Sequence, residues 1–141
     1  MPDVARAGGS YCDGGINSTG MACRLEGFGQ SLSGGSLQLH YDSLPGATFV
    51  LTVESAWHYG SSSVLGGTLC VSAGCLKRVS IDLSEADGTL ELDLDPLTAL
   101  ATPVCGAPVP GDNIYLQGWF RDGGVSQGAR LSNAIRLVVA P

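Results

Sequence analysis

The sequence predicts an all-β fold: an antiparallel two-sheet β-sandwich, jelly-roll or Ig-like, with about eight strands. Apolar and polar residues alternate with a period of two in several segments, as expected for strands that have one face in a core. Clusters of Gly, Pro, Ser and Asp separate these segments at roughly 10–15-residue spacing, and no convincing helical pattern exceeds about two turns. The length of 141 residues fits one such domain.

The alternation justifies the strands one by one. Segment 88–95 is the clearest, because three leucines alternate with acidic residues and Thr89. Asp87-Gly88 precedes it as a hairpin turn signal, since both residues tolerate positive φ. The predicted inward positions of the clearest segments are Leu37, Leu39, Tyr41, Leu90, Leu92, Leu94, Ile114, Leu116, Gly118 and Phe120. The predicted strands span residues 25–30, 36–42, 47–53, 68–71, 76–83, 88–95, 113–121 and 134–139.

Composition limits the classes of partner. Seven Lys and Arg stand against 13 Asp and Glu, a net charge of −6, which disfavours nucleic acid because phosphates need basic contacts. No apolar run approaches the about 20 residues that span a bilayer, so we expect no membrane insertion. The first residues do not form a secretory signal. We assign residues 1–10 to a disordered or vector-derived tail and residues 11–141 to a single sandwich domain.

The five cysteines indicate an oxidising compartment. They lie beside Gly, Ser and Pro rather than inside apolar runs, which favours disulfides over buried free thiols. Zinc is disfavoured because no C-x₂-C pair occurs. An odd number leaves one thiol free or paired between chains. The cysteines are Cys12, Cys23, Cys70, Cys75 and Cys105, and we expect the chain to be secreted or held at a cell surface.

Catalytic motifs are missing from the sequence. There is no G-x-S-x-G elbow, H-E-x-x-H, Walker or dinucleotide pattern. The chain contains only two histidines, His40 and His58, and nothing pairs either with a nucleophile. His40 lies on the polar side of a predicted strand and is most simply solvated. We expect a protein that is not an enzyme and holds no cofactor.

An acidic run is the candidate metal site. Glu91, Asp93 and Asp95 alternate along one strand, as any solvated face would. The loop carboxylates Asp82, Glu85 and Asp87 are the better candidates for a structural calcium ion, because Ca²⁺ prefers oxygen ligands. Their spacing is not the D-x-D-x-D-G of a dedicated calcium loop, so a plain acidic surface is the competing interpretation.

An aromatic cluster is the candidate ligand site. Trp57, His58 and Tyr59 follow an apolar strand and precede a Ser-rich loop. An exposed Trp–Tyr pair stacks on sugar rings, and Glu54 or His58 would bond the sugar hydroxyls. The alternative is that Trp57 caps one end of the core. Trp119 lies on a mixed strand face and is interpreted as structural.

Two short motifs are interpreted as structural. Asn17-Ser18-Thr19 has the form of a glycosylation sequon but favours a turn in which the side chains bond loop backbone. Arg121-Asp122 is expected to pair locally or to brace the final turn near Ser132-Asn133.

The order of several motifs resembles a known family. The motifs are Tyr11-Cys12, Asn17-Ser18-Thr19-Gly20, Leu44-Pro45, Gly67-x-Leu69-Cys70, Trp119-Phe120-Arg121-Asp122 and Leu131-Ser132-Asn133-Ala134. Together they resemble a family of C-terminal β-sandwich domains on large secreted proteins of planctomycetes, myxobacteria and related environmental bacteria. The resemblance covers residues 11–139. It implies an extracellular, non-catalytic domain appended to other modules, with no functional residues to transfer.

The resemblance also implies a cysteine pairing. Cys12 and Cys70 match two cysteines that recur in the family, which favours a disulfide between them. Cys23, Cys75 and Cys105 depart from the family pattern, and a second bridge among these three is expected without a defined pairing.

Two functions of different class follow. The first is a non-catalytic accessory module that binds carbohydrate or a cell-surface polymer through the Trp57–Tyr59 loop. The alternative is a structural module that anchors larger extracellular proteins or self-associates into oligomers or filaments. Expected partners are therefore a polysaccharide, neighbouring domains of a larger secreted protein, or further copies of the chain.

Overall fold

A computed structural model of the chain describes residues 9–12, 14–29, 37–55, 58–64, 67–71, 77–94, 113–125 and 128–138. These residues form ten β-strands. In chain order the strands are β1 Gly9–Tyr11, β2 Arg24–Gly29, β3 Leu37–Asp42, β4 Phe49–Ser55, β5 His58–Val64, β6 Gly67–Val71, β7 Lys77–Leu83, β8 Leu90–Leu94, β9 Asn113–Arg121 and β10 Ala129–Val138. No helix within the described residues is long and apolar enough to cross a membrane.

Eight of these strands form the two main sheets of a sandwich, and all their pairings are antiparallel. One sheet has five strands in the order β1-β10-β9-β4-β7, and the other has three in the order β2-β3-β8. The remaining two, β5 and β6, form a separate antiparallel ribbon. The predicted all-β antiparallel two-sheet sandwich is confirmed.

The core lies between the two main sheets and is made by alternate residues of the strands. Each sheet contributes the inward half of its strands, and the resulting cluster excludes water. Its members are Cys23, Leu25, Leu39, Tyr41, Leu44, Val50, Leu90, Ile114, Leu116, Phe120 and Ile135, with Val79 and Leu92 packed against them. The inward positions predicted in β9, including Gly118, are buried as expected.

Tyr41 makes a close contact between the two main sheets. Its ring projects from β3 across the core to Gly118 of β9, where a Cβ atom would lie 2.4 Å from the tyrosine Cε1 and 2.6 Å from its hydroxyl. The Tyr41 hydroxyl shares a 2.8 Å hydrogen bond with Thr52 Oγ1 of β4. Only glycine leaves room for the ring at position 118. Burial raises the pKa of Tyr41, so the phenol stays protonated.

The ribbon β5–β6 lies over part of the outer face of the five-stranded sheet. The backbone N–H of Cys70 in β6 donates to Gln117 Oε1 of β9 at 3.0 Å. Gln117 Nε2 in turn donates to the Ser132 carbonyl oxygen of β10 at 2.8 Å. Gln117 is consequently buried although it points away from the core, and the neighbouring outward residue Val53 is buried as well.

Most predicted strand ends agree with the structure to within two residues, but three features differ. The last strand begins at Ala129 rather than residue 134. Residues 60–63, expected as a turn, lie inside β5, where backbone pairing with β6 replaces the missing apolar alternation. β1 begins at Gly9, within the segment 1–10 assigned to a tail, because Gly9 and Ser10 pair with Arg136 and Ile135 of β10.

The Tyr41–Gly118 contact generates a stability prediction. Gly118→Ala places a methyl group inside the tyrosine ring, and we expect the free energy of unfolding to fall by about 1–3 kcal/mol. The control is Gly123→Ala, where a Cβ meets nothing within 4 Å and the change should stay within about 0.5 kcal/mol. Urea unfolding measures both. Equal stability of the two variants would contradict the packing described here.

Candidate functional site: an exposed apolar face and buried polar side chains

Of the residues predicted to bind a sugar, Glu54 does not lie at the surface. Glu54 is only 2% exposed, and its position opposite Leu116 turns it toward the core. It is therefore not presented at the surface as the sugar-binding prediction requires. His58 and Tyr59 lie in β5, with His58 opposite Val71 of β6. Trp57 lies outside the described residues.

The predicted calcium ligands are also separated. Asp82 lies in β7 opposite Val50, on the side that faces the core. Asp87 instead closes its own turn, since its Oδ1 accepts hydrogen bonds from Thr89 N at 3.1 Å and Thr89 Oγ1 at 2.7 Å. Glu85 is exposed. No three His, Cys, Asp or Glu side chains of the described part of the chain are grouped to hold a metal ion, so the proposed trio does not form a site.

The alternating acids of β8 lie where the sequence predicts them. Glu91 and Asp93 are exposed on the outer face of the three-stranded sheet, while Asp95 lies outside the described residues. His40 is beside them on β3, with its Nδ1 3.3 Å from Glu91 Oε1. The polar position expected for His40 is confirmed.

Several of the resemblance motifs contribute buried polar side chains that hydrogen-bond to backbone groups; these are Asn17, Asp122, Ser132 and Asn133, here together called the polar latch. Asn17 Oδ1 accepts from Thr19 N and Oγ1, and its Nδ2 donates to the Ser43 carbonyl oxygen. The turn predicted for Asn17-Ser18-Thr19 is thus confirmed. Because the Asn17 amide is buried and already donating, it is not presented to solvent in the folded protein.

Asp122 fastens the N-terminal loop to the turn after β9. Its Oδ2 accepts from Ser18 N at 2.7 Å and its Oδ1 accepts from Gly124 N at 3.1 Å. The expected bracing therefore reaches the Asn17 loop rather than Ser132-Asn133. Burial opposes ionisation of the carboxyl, but the hydrogen bonds from Ser18 and Gly124 and the charge of Arg130 outweigh it, and the pKa of Asp122 lies below its usual value.

Asn133 and Ser132 complete the latch at an irregularity of β10. Asn133 Oδ1 accepts from Leu25 N at 2.7 Å, and its Nδ2 donates to the Leu25 carbonyl oxygen at 3.1 Å. One amide side chain thus satisfies both backbone groups of a β2 residue across the sandwich. Ser132 Oγ accepts from Gly118 N at 2.8 Å, where the β9–β10 register shifts.

A disulfide joins Cys12 to Cys70 across 58 residues of sequence. The favoured pairing is confirmed, and the bond fastens the end of β1 to the ribbon. It is consistent with the oxidising extracellular environment expected from the cysteine pattern. Cys23 is free and buried, and burial, followed by the nearby charge of Asp42, raises the pKa of its thiol. Cys75 and Cys105 lie outside the described residues.

The most unusual surface is the part of the five-stranded sheet that the ribbon leaves uncovered. We call it the apolar face, formed by Phe49, Leu51, Ile81, Leu83 and Trp119. Phe49 lies opposite Leu83, and Leu51 lies opposite both Ile81 and Trp119, so these side chains are adjacent across three strands. The exposed fractions are 58% for Phe49, 63% for Ile81, 52% for Leu83 and 41% for Trp119.

Charge is distributed unevenly between the two outer surfaces. Arg78 and Arg121 lie beside the apolar face on β7 and β9, and both are exposed. No acidic side chain points outward from this sheet among the described residues. The outer surface of the three-stranded sheet instead carries Glu26, Glu91 and Asp93, which we call the acidic face, with Arg24 paired to Glu26 and His40 beside Glu91.

Sequence reasoning missed the apolar face. It interpreted Trp119 as structural and did not assign a facing to Ile81 or Leu83. The signal was present in β7, where Ser80 and Asp82 alternate with Ile81 and Leu83, but alternation alone does not say which half points inward.

Comparison with protein-family models, curated proteins and solved structures gives no match. The resemblance to the bacterial C-terminal domains stays a prediction.

The cysteines provide a test of the compartment and of the core. In native protein treated with iodoacetamide, we expect peptide mapping without reductant to recover Cys12 linked to Cys70. Cys23 should remain unlabelled until denaturant is added, because a buried thiol with a raised pKa is a poor nucleophile. Rapid native labelling of Cys23, or recovery of Cys12 and Cys70 as free thiols, would contradict the structure.

Asp122 generates a pH prediction. A lowered folded-state pKa means that the ionised form stabilises the fold above about pH 4, the ordinary value for Asp, and that this contribution is lost as pH falls through the folded-state pKa. We expect Asp122→Asn to reduce stability at neutral pH by about 1–3 kcal/mol. It should also lose less stability on acidification than the parent chain does.

Urea unfolding at neutral and acidic pH measures both effects. Asp93→Asn is the matched control, because it removes one charge from an exposed position and should leave the parent pH dependence unchanged. An Asp122→Asn variant whose stability varies with pH just as the parent's does would rule out a stabilising role for the ionised carboxylate.

Proposed function

We propose that this chain is a non-catalytic extracellular module whose task is assembly, with the apolar face as its contact surface. The observation that carries the proposal is the continuous exposure of Phe49, Ile81, Leu83 and Trp119. A contiguous apolar patch on a folded domain is typical of an interaction site. The Cys12–Cys70 disulfide supports it by fastening the ribbon to the end of β1, a strand of the same sheet.

The composition of the face favours protein over sugar. A sugar platform combines an aromatic ring with polar groups that bond the hydroxyls. Here Leu51 is the direct cross-strand neighbour of Trp119, and Ile81 and Leu83 lie on the next strand beyond it. These aliphatic side chains offer no hydrogen bonds. Such a surface is stabilised when another apolar surface removes it from water. Carbohydrate binding through Trp57 stays a prediction.

The test is the association state from micromolar to millimolar concentration, measured by sedimentation velocity. We expect the parent chain to self-associate. Ile81→Ser/Leu83→Ser should weaken self-association by at least about 100-fold, because the apolar face of each associating copy loses apolar area. The matched control is Ile16→Ser/Met21→Ser, which removes exposed apolar side chains (60% and 59%) outside the apolar face. It should associate like the parent chain.

Two outcomes would contradict the proposal. One is a parent chain that is monomeric throughout, and the other is equal weakening by the control variant. Retention of the chain on insoluble polysaccharide, abolished by Trp57→Ala, would favour the carbohydrate hypothesis if the chain is also monomeric. Thermal unfolding of each variant checks that it is folded.

A further inference from the structure

We infer that the partner of the apolar face is the same face of a second copy, so that the chain forms a closed pair rather than a filament. This inference rests on the proposed function and adds the partner and the geometry. When a surface meets its own copy about a two-fold axis, the contact covers that surface on both copies, so assembly stops at two copies.

The area of the face is sufficient for such a pair. At the exposed fractions above, Phe49, Ile81, Leu83 and Trp119 leave on the order of 500 Å² open, since large side chains cover roughly 150–250 Å² each. Two faces bring on the order of 1,000 Å² of apolar surface together. With the surrounding rim this reaches the about 1,200 Å² at which specific interfaces begin.

The distribution of charge disfavours a contact between the apolar face of one copy and the acidic face of another. Stacking the apolar face on the acidic face would place Glu91 and Asp93 against Ile81 and Leu83, and burying carboxylates against aliphatic side chains is unfavourable. When two apolar faces meet, the acidic faces of both copies point outward in opposite directions. The repulsion expected between two chains of net charge −6 is then smallest, because distance and salt screen it.

The strand at the edge of the sheet also argues against extension. β7 is an edge strand, and a second copy could in principle pair with it to continue the sheet. Asp82 faces the interior side of this strand and is only half-buried. An inward charge on an edge strand opposes the addition of another strand.

The arginines suit the rim of a face-to-face pair. Arg78 and Arg121 border the apolar face and are exposed. Their aliphatic stems can lie along the apolar contact while the guanidinium groups remain in water. The pair therefore leaves the charges of these two arginines in water.

The deciding experiment follows the mass of the complex against concentration by light scattering, at low and high NaCl. We expect the mass to level off at two copies. The dissociation constant should stay unchanged or fall a few-fold at high salt, because salt screens the repulsion between acidic chains. Contact between the apolar and acidic faces would depend on Arg–carboxylate attraction and would weaken instead.

Two variants distinguish the faces. Ile81→Ser should raise the dissociation constant of the pair at least about tenfold. This single substitution replaces Ile81→Ser/Leu83→Ser if the double variant does not fold. Glu91→Gln/Asp93→Asn, which changes only exposed side chains of the acidic face, should leave the pair unchanged or make it up to a few-fold tighter.

The outcomes distinguish failure of the closed pair from failure of assembly through the apolar face. Growth beyond two copies that Ile81→Ser abolishes would overturn the closed pair and leave assembly through the apolar face standing. Loss of association in Glu91→Gln/Asp93→Asn would overturn the inference in the same way. A parent chain that never associates would overturn both.

Discussion

The contact between Tyr41 and Gly118 sets the distance and register of the two main sheets. A phenol ring from β3 lies on bare backbone of β9, and its hydroxyl reaches Thr52 of β4. The ring therefore connects strands of both sheets through packing and through one buried hydrogen bond. The backbone N–H of Gly118 is in turn held by Ser132 of β10. Because β9 is fixed from both sides, the next residue, Trp119, projects from the outer surface at a defined position.

Buried polar side chains make hydrogen bonds to backbone groups that regular strand pairing does not satisfy. Where β10 shifts register between Leu131 and Ala134, Ser132 Oγ accepts from Gly118 N and Gln117 Nε2 donates to the Ser132 carbonyl oxygen. Asn133 bonds both backbone groups of Leu25 in β2, an edge strand of the other sheet. All three side chains are buried. An unsatisfied buried polar group costs about 1–3 kcal/mol, so substitutions of these side chains are expected to lower the free energy of unfolding by a similar amount. This gives a physical reason for the Leu131-Ser132-Asn133-Ala134 motif that needs no ligand.

The sequence predicted the sandwich because alternation dominates β3, β8 and β9, where leucines and aromatic residues mark the inward half. It did not predict β5, whose Gly-Ser-Ser-Ser run has no alternation and is a strand through its pairing with β6. Gln117 and Glu54 look like surface residues in the sequence. A ribbon from elsewhere in the chain buries the first, and strand register turns the second inward. The calcium trio is separated because β7 directs Asp82 inward while Asp87 bonds to Thr89. Such outcomes depend on tertiary pairing, which short-range patterns do not encode.

The orientation of β7 explains why Ile81 and Leu83 belong to the apolar face and not to the core. Val50 and Phe120 fill the core beside β7, so its polar alternates Ser80 and Asp82 are accommodated inward near the sheet edge, and Ile81 and Leu83 are left outside. In β8 the alternation has the usual sense, with Leu90 and Leu92 inward and the acids in water. Turning β7 over would bury Ile81 and Leu83 and expose Asp82, a change that the hydrophobic effect alone would favour. The observed orientation therefore leaves apolar area in water, and a contact that covers this area compensates for that cost.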